Sequence, residues 1–503
     1  MPEYIRSLFY ILILSLVTFY FLKSTAVIIS TKEDFGRRCK LWIGLTILLF
    51  VSHNMLLYGI FGGLILLLTS SNEKNKIALF FFLVFALPST IAYIPAFGVV
   101  NFLFAIDEIR LLELVILLPL FFNLSQKKDS IRFFKMASDK YLGAYILWTI
   151  LLLFLQSTAT DTLRFTFYAF IDIFLPYYVI SRGLKNIKDF NDALFAFVVS
   201  CTVQASIGIF EYFKGWLLYN SLGADLGVSS IMNGYMLREG RLRVMASTEQ
   251  PLVFGFLMVV ALSFFLVIQK HITNPAIRLI WCVLISGAIL EHQSRGPWVG
   301  TLVLILVFIL TSRQILKNLS IFVLASCFTV GLLLATPFGE RVINILPFIG
   351  TSQQFNVTYR QVLIEKCIAL ALKHPIFGVP NAFAELKEMK QGAGIVDIVN
   401  TYVSVALGSG LVGLTLFVSF FVTIAFGIYR AMSSIKNIND ELHLIGRVLM
   451  ATLAAILVMI GTISSISFIP ITYWSVAGLG MAYIYIVKRS LLAPMIDEAL
   501  ISK

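Results

Sequence analysis

At 503 residues, 59% hydrophobic, only 13% charged and with a mean hydropathy of +0.90, the chain excludes a soluble globular domain. Continuous Leu, Ile, Phe and Val runs of about 17–25 residues recur from end to end, unlike the short alternating segments of a β-barrel. The net charge of +12 lies in the short connections between these runs, where it sets membrane orientation and is no footprint for nucleic acid.

The class that follows is an all-α polytopic integral membrane protein of about 14 transmembrane helices. Arg6 followed by Ser7–Leu22 reads as an uncleaved first span. Spans are then expected over 77–98, 100–123, 140–156, 163–181, 191–213, 251–268, 277–293, 297–311, 318–335, 398–428, 447–465 and 468–487. Leu41–Thr69 is too long for one upright helix, and Ser52-His53-Asn54 in its middle predicts a tight hairpin and two crossings. Four expected units result: N-terminal helices over 1–190, a core with an arginine loop over 191–335, an outer loop over 336–396, and C-terminal helices over 397–503.

Lysines and arginines fix the sidedness. Lys127, Lys128, Arg132, Lys135 and Lys140 mark one connection as cytoplasmic, and Arg182, Lys185 and Lys188 another. Arg313 with Lys317, and Arg430, Lys436 and Arg447, mark two more. Counting from these places 214–250, the 293–297 turn and 336–396 on the outer side.

Arg295 is the most informative residue. Glu291-His292-Gln293-Ser294-Arg295-Gly296-Pro297-Trp298 interrupts two apolar runs, Ala276–Leu290 and Val299–Leu310. A permanent charge at membrane depth costs several kcal/mol and is retained to bind something. The guanidinium fork suits phosphate or carboxylate.

Loop 214–250 carries Arg238, Arg241 and Arg243 before Ser247-Thr248-Glu249-Gln250-Pro251, which opens the next span. That pattern reads either as a solvated basic loop with a capped helix or as an anion site at a helix N-terminus. Thr358–Leu372, with Arg360, Glu365 and Lys366 amid Val362, Leu363, Ile364 and Ile368, reads as an amphipathic helix on the membrane surface. It stops at Lys373-His374-Pro375-Ile376-Phe377-Gly378. Asp397-Ile398-Val399-Asn400-Thr401-Tyr402 then leads into a span whose Gly408, Gly410 and Gly413 suggest close helix packing.

The five cysteines and five histidines show no metal-like spacing, no GxxxxGK[ST] loop occurs, and neither a metal nor a cofactor is expected. Asp107, Glu108 and Arg110, buried charges near a span end, support an alternative reading as a transporter or flippase. Against it, the chain lacks an inverted internal repeat and its polar residues crowd one side of the membrane.

In order, the arginine loop before a Pro-started span, the SRG at a span end, and an outer loop ending in R…HPxFGV, N-T-Y and G…GxxGL resemble the O-antigen ligase/polymerase superfamily, over roughly residues 190–430. The resemblance implies a GT-C-like, metal-independent membrane glycosyltransferase of the bacterial inner membrane. Its donor would be an undecaprenyl-pyrophosphate-linked glycan and its acceptor a second glycan, with the bilayer, a flippase and a chain-length regulator as partners. Arg295 matches the family's SRG arginine, Arg243 (with Arg241 a close competitor) the arginine before the Pro-started span, and Arg360 the loop-helix arginine. His374 falls in the HPxFG motif.

Where ligases of the superfamily carry a histidine, this chain has Val399, which favours a polymerase of repeat units into a surface polysaccharide over a ligase. General-base candidates, in order, are Glu249, Asp397, His374 and His292. For Glu249 a helix-start role is an equal reading.

Overall fold

The computed structural model describes residues 2–96, 101–128, 131–226, 235–238, 240–334, 354–379, 382–389, 396–435 and 440–501. Among these, eight helices are long and apolar enough to cross a membrane: Glu3–Ile29 (α1), Ala137–Gln156 (α6), Ala159–Gly183 (α7), Ile187–Lys214 (α8), Pro251–His271 (α9), Thr401–Ser433 (α14), Glu441–Ile460 (α15) and Phe468–Leu491 (within α16, which runs to Ile501). Met55–Ser70 (α3), Arg295–Leu310 (α11) and Ile315–Gly331 (within α12, Ile315–Leu334) are apolar but shorter. The chain is therefore a mostly helical, multi-pass membrane protein. Lys32–Ser52 (α2), Lys76–Leu83 (α4), residues 108–126 (α5), Pro275–Glu291 (α10) and Gln354–Lys373 (α13) complete the helices used below.

The hairpin expected within 41–69 is present. Leaving helical geometry at His53 (φ +48) ends α2, and the Asn54 side chain caps α3 by accepting from the backbone N–H groups of Leu56 and Leu57. The expected span over 77–98 is not a helix throughout. Instead α4 ends at Leu83, and two short antiparallel strands, Ala92–Pro95 (β1) and Phe102–Ile106 (β2), fold over before α5 begins. Pro88 and Pro95 account for this, since a proline cannot donate to the ladder of a continuing helix.

The core centres on α8, which packs against α1, α4, α9 and α10. Phe195, Phe197, Phe254, Phe264 and Trp281 are fully buried around it. Lipid offers no hydrophobic drive between helices, so close packing decides which faces meet. A Cβ on Gly208 would lie 2.7 Å from the Phe254 ring, and one on Gly300 would lie 2.4 Å from Met459. These two glycines let α8 approach α9, and α11 approach α15.

Two further expectations are corrected. The Gly410 region is a break, not a packing stripe: Gly410 has φ +68 and ψ −178 inside α14. Nor is α13 merely a surface-lying helix. Its Leu363, Cys367, Leu370 and Ala371 join Val379, Leu386, Ile398 and Leu407 in a small separate core beside the N-terminal part of α14.

Candidate functional site

The site is built where loop 215–250 meets the turn between α10 and α11. Leu237–Arg238 (β3) and Arg241–Leu242 (β4) form a minimal hairpin whose turn includes Gly240 at φ +74. Its arginines diverge. Arg238, buried, donates to the Gln293 carbonyl, whereas Arg241 is exposed and donates to Tyr212 Oη at 2.5 Å. Arg243 follows the hairpin; its Nη2 donates to Ser294 Oγ at 2.6 Å and its Nε to the His292 carbonyl at 3.3 Å.

The turn itself is braced from within. His292 is fully buried, and its Nδ1 accepts the Ser294 backbone N–H at 2.8 Å. Its Nε2 packs against Gly255 of α9, where a Cβ would lie 2.4 Å away. The imidazole thus supports the turn from beneath, and its burial removes it as an acceptor-activating base. Gln293 takes φ +50, Ser294 is the N-cap residue of α11, and Arg295 is the first residue of that helix, half-buried. Gly296 completes the SRG for a steric reason: a Cβ there would lie 2.8 Å from Thr462 Oγ1.

Arg360, on α13, reaches the same place. Burial, first, lowers its basicity; Arg295 lowers it further, and the Asp397 carboxylate opposes both. At Arg243, burial and then the neighbouring Arg238 and Arg360 bring the guanidinium down to about 10. A guanidinium at about 10 is still cationic at neutral pH, so Arg243 carries its charge beside that of its neighbours. Asp397 is exposed and is oriented by Ser464 Oγ, which donates to its Oδ1 at 2.5 Å. Of the sequence candidates, the structure brings together Arg243, Arg295, Arg360 and Asp397. It adds Arg238, which sequence reasoning left among three loop arginines, and turns Arg241 away.

Glu249 has different company. It sits at φ +64, a conformation that costs a non-glycine residue about 1–3 kcal/mol. Its carboxylate takes the Ser89 backbone N–H and lies near Asp107, whose Oδ2 accepts from Ser89 Oγ at 3.0 Å. Burial, then the Asp107 charge, push it up to about 8, with the Ser89 N–H partly offsetting.

Because the folded pKa exceeds the unfolded value of about 4.3, folding is favoured by the neutral acid. That contribution is complete below the unfolded pKa and is lost as pH rises through the folded one. Relative to Glu249→Gln, the wild-type protein is expected to lose stability between about pH 4.3 and pH 8, at no more than about 1.4 kcal/mol per pH unit. Thermal unfolding of the two proteins at several pH values checks this; parallel curves would refute it.

His374 is exposed at the end of α13, and its carbonyl accepts from Gly378 N at 2.9 Å. The HPxFG segment lies in the α14 break, with Leu411 N donating to the Pro375 carbonyl at 2.7 Å and Val379 N to the Leu407 carbonyl at 2.6 Å. The N-T-Y segment is structural too. Asn400 caps α14 through the Val403 N–H, Thr401 Oγ1 donates to the Ile463 carbonyl at 3.0 Å, and Tyr402 Oη to the Leu457 carbonyl at 2.7 Å. Among the described residues, no group of three or more His, Cys, Asp or Glu is placed to hold a metal ion.

Residues 280–418 match the family model described as O-antigen ligase. No curated protein matches the chain. The matched segment runs from α10 into α14 and so contains the SRG turn, Arg360, His374 and Asp397, while the Arg243 hairpin precedes it. Over residues 280–418 the chain is thus similar to the O-antigen ligase family, a match consistent with the O-antigen ligase/polymerase superfamily that its motifs resemble.

Proposed function

We propose that this protein is a bacterial inner-membrane glycosyltransferase that polymerises undecaprenyl-pyrophosphate-linked repeat units into a surface polysaccharide. The observation that carries this reading is the crowding of Arg243, Arg295 and Arg360, from segments far apart in sequence: Arg360 lies close enough to depress the basicity of Arg243, and Arg295 that of Arg360. Arg295 belongs to the same group and opens a helix, whose N-terminal N–H groups also favour an anion. Positive charges gathered in this way favour an anion, and a pyrophosphate supplies both charge and oxygens for guanidinium forks.

Asp397 is the acceptor-activating base in this scheme, ahead of Glu249 and His374, because it is the carboxylate that shares the clamp with Arg360. It takes the proton of the acceptor hydroxyl as that oxygen bonds to the anomeric carbon. The bond from this carbon to the pyrophosphate breaks, and the departing charge stays on Arg243, Arg295 and Arg360, with Arg238 behind them. Each well-placed donor is worth about 2.7–4 kcal/mol of barrier, so the arginines do without a metal's charge.

The description of the matching family favours a second reading, a ligase that transfers finished glycan to another acceptor. Val399, standing where ligases of the superfamily carry a histidine, favours the polymerase. Purified protein in vesicles, supplied with a lipid-linked repeat unit, is expected to give a ladder of products. Transfer of one finished chain to a different acceptor would establish the ligase. Movement of the lipid-linked unit across the bilayer with no new glycosidic bond would overturn both in favour of transport.

A further inference from the structure

We propose that Glu211 is the positioning residue of the anion clamp, holding the arginine hairpin so that Arg243 reaches the SRG turn; this rests on the clamp reading above. Glu211 lies in the last turn of α8 and is fully buried. Three backbone N–H groups satisfy its carboxylate. Oε1 accepts from Leu218 at 3.0 Å, and Oε2 accepts from Met245 at 3.2 Å and Ala246 at 2.9 Å. One side chain therefore ties the first residues of loop 215–250 to its last. Bringing the two ends of such a loop together costs conformational entropy, which these hydrogen bonds offset.

The bonds to Met245 and Ala246 have a recognisable form. Met245 stands at φ −131, ψ −31 and Ala246 at φ +48, so that their successive N–H groups converge. Such a pair makes an anion-binding concavity, here filled by the chain's own carboxylate. Alanine does not take the left-handed region without compensation, and the carboxylate supplies it. Met245 is two residues beyond Arg243, so the pin fixes the chain directly behind the guanidinium that donates to Ser294 Oγ.

Gln204, seven residues earlier and on the same face of α8, continues the same device. Its Oε1 accepts from Ser247 N at 3.2 Å, and its Nε2 donates to the Phe85 carbonyl at 2.6 Å. Ser247 Oγ donates to that same carbonyl at 2.8 Å. The segment carrying Arg243 is thus fastened to α8 at consecutive residues, 245, 246 and 247.

The test uses the full-length protein in nanodiscs, with inorganic pyrophosphate as the binding probe and elongation of a lipid-linked repeat unit as the activity. Glu211→Gln keeps the shape but cannot accept from all three N–H groups. Misplacement of a clamp by about 1 Å predicts roughly a 100-fold loss of elongation, with weakened pyrophosphate binding. Amide exchange at Met245 and Ala246 is expected to quicken while that of central α8 is unchanged.

A residue acting only through Arg243 also predicts non-additivity: Glu211→Gln combined with Arg243→Lys should be no worse than Arg243→Lys alone. Losses that multiply, or a Glu211→Gln protein within about twofold of wild type, would overturn the inference. If Arg243→Lys elongates normally while Glu211→Gln shows faster exchange, the clamp reading fails and takes this inference with it. Should Glu211→Gln not insert, Gln204→Met serves instead, with about a tenfold non-additive loss expected and wild-type behaviour counting against the proposal.

Discussion

Arg295→Lys is expected to stop polysaccharide growth, lowering turnover by about 10²–10³-fold, while the protein remains inserted and folded. The substitution is mild for the fold. Arg295 is the first residue of α11, half-buried, and its backbone is fixed by neighbours on both sides. Ser294 is held by His292 and Arg243, and Gly296 lies against Thr462. A lysine at this position keeps the charge and the chain direction but replaces a planar fork by a single ammonium. If the fork grips the departing pyrophosphate more tightly than the bound donor, turnover falls and the apparent affinity for the lipid-linked unit changes little. Steady-state elongation by purified protein separates the two quantities. A turnover within about twofold of wild type would remove Arg295 from the clamp.

How much of this could be read from the chain depends on which forces leave a trace in sequence. The long spans are legible because burial in lipid demands continuous apolar residues, and the α2–α3 break is legible because His53-Asn54 interrupts them. Residues 77–98 mislead for the same reason: the hairpin after α4 is as apolar as a span, so hydropathy cannot tell them apart. Arg243, Arg295, Arg360 and Asp397 stand out as candidates through motif order and sidedness, not through any local pattern. Arg238 and Arg241 show the limit. Both are basic and paired in one hairpin, yet only the three-dimensional docking decides which faces Gln293 and which Tyr212. Glu211 left no signal, since its partners are backbone N–H groups more than thirty residues away in the case of Met245 and Ala246.

Gly410→Ala is expected to release the segment around residues 374–379 from α14 and abolish activity, with a cost of more than about 3 kcal/mol. The reasoning begins from the α14 break. Within an apolar span, backbone groups freed by a break must find partners. Here they do: the Leu407 carbonyl accepts from Val379 N, Leu411 N donates to the Pro375 carbonyl, and the Ser409 carbonyl accepts from Trp148 Nε1 at 2.9 Å. Phe377 stacks on Trp148 with ring centroids 5.8 Å apart, sealing the contact. The approach is backbone to backbone, which only paired glycines allow. A Cβ on Gly410 would lie 2.0 Å from the Ile376 carbonyl oxygen, and one on Gly378 would lie 2.4 Å from that of Leu407. Both glycines also stand at φ +68. Alanine at 410 therefore adds backbone strain to a collision that no side-chain rotation can relieve, and the segment must withdraw. Arg360 and Asp397 lie on the two stretches that this junction holds against α14, so the clamp would lose both. Gly408→Ala is the matched control, because a Cβ there meets nothing within 4 Å. Limited proteolysis near residues 374–379, alongside elongation assays, reads the difference. Equal protease resistance and activity in the two variants would show that the α14 break does not anchor that segment.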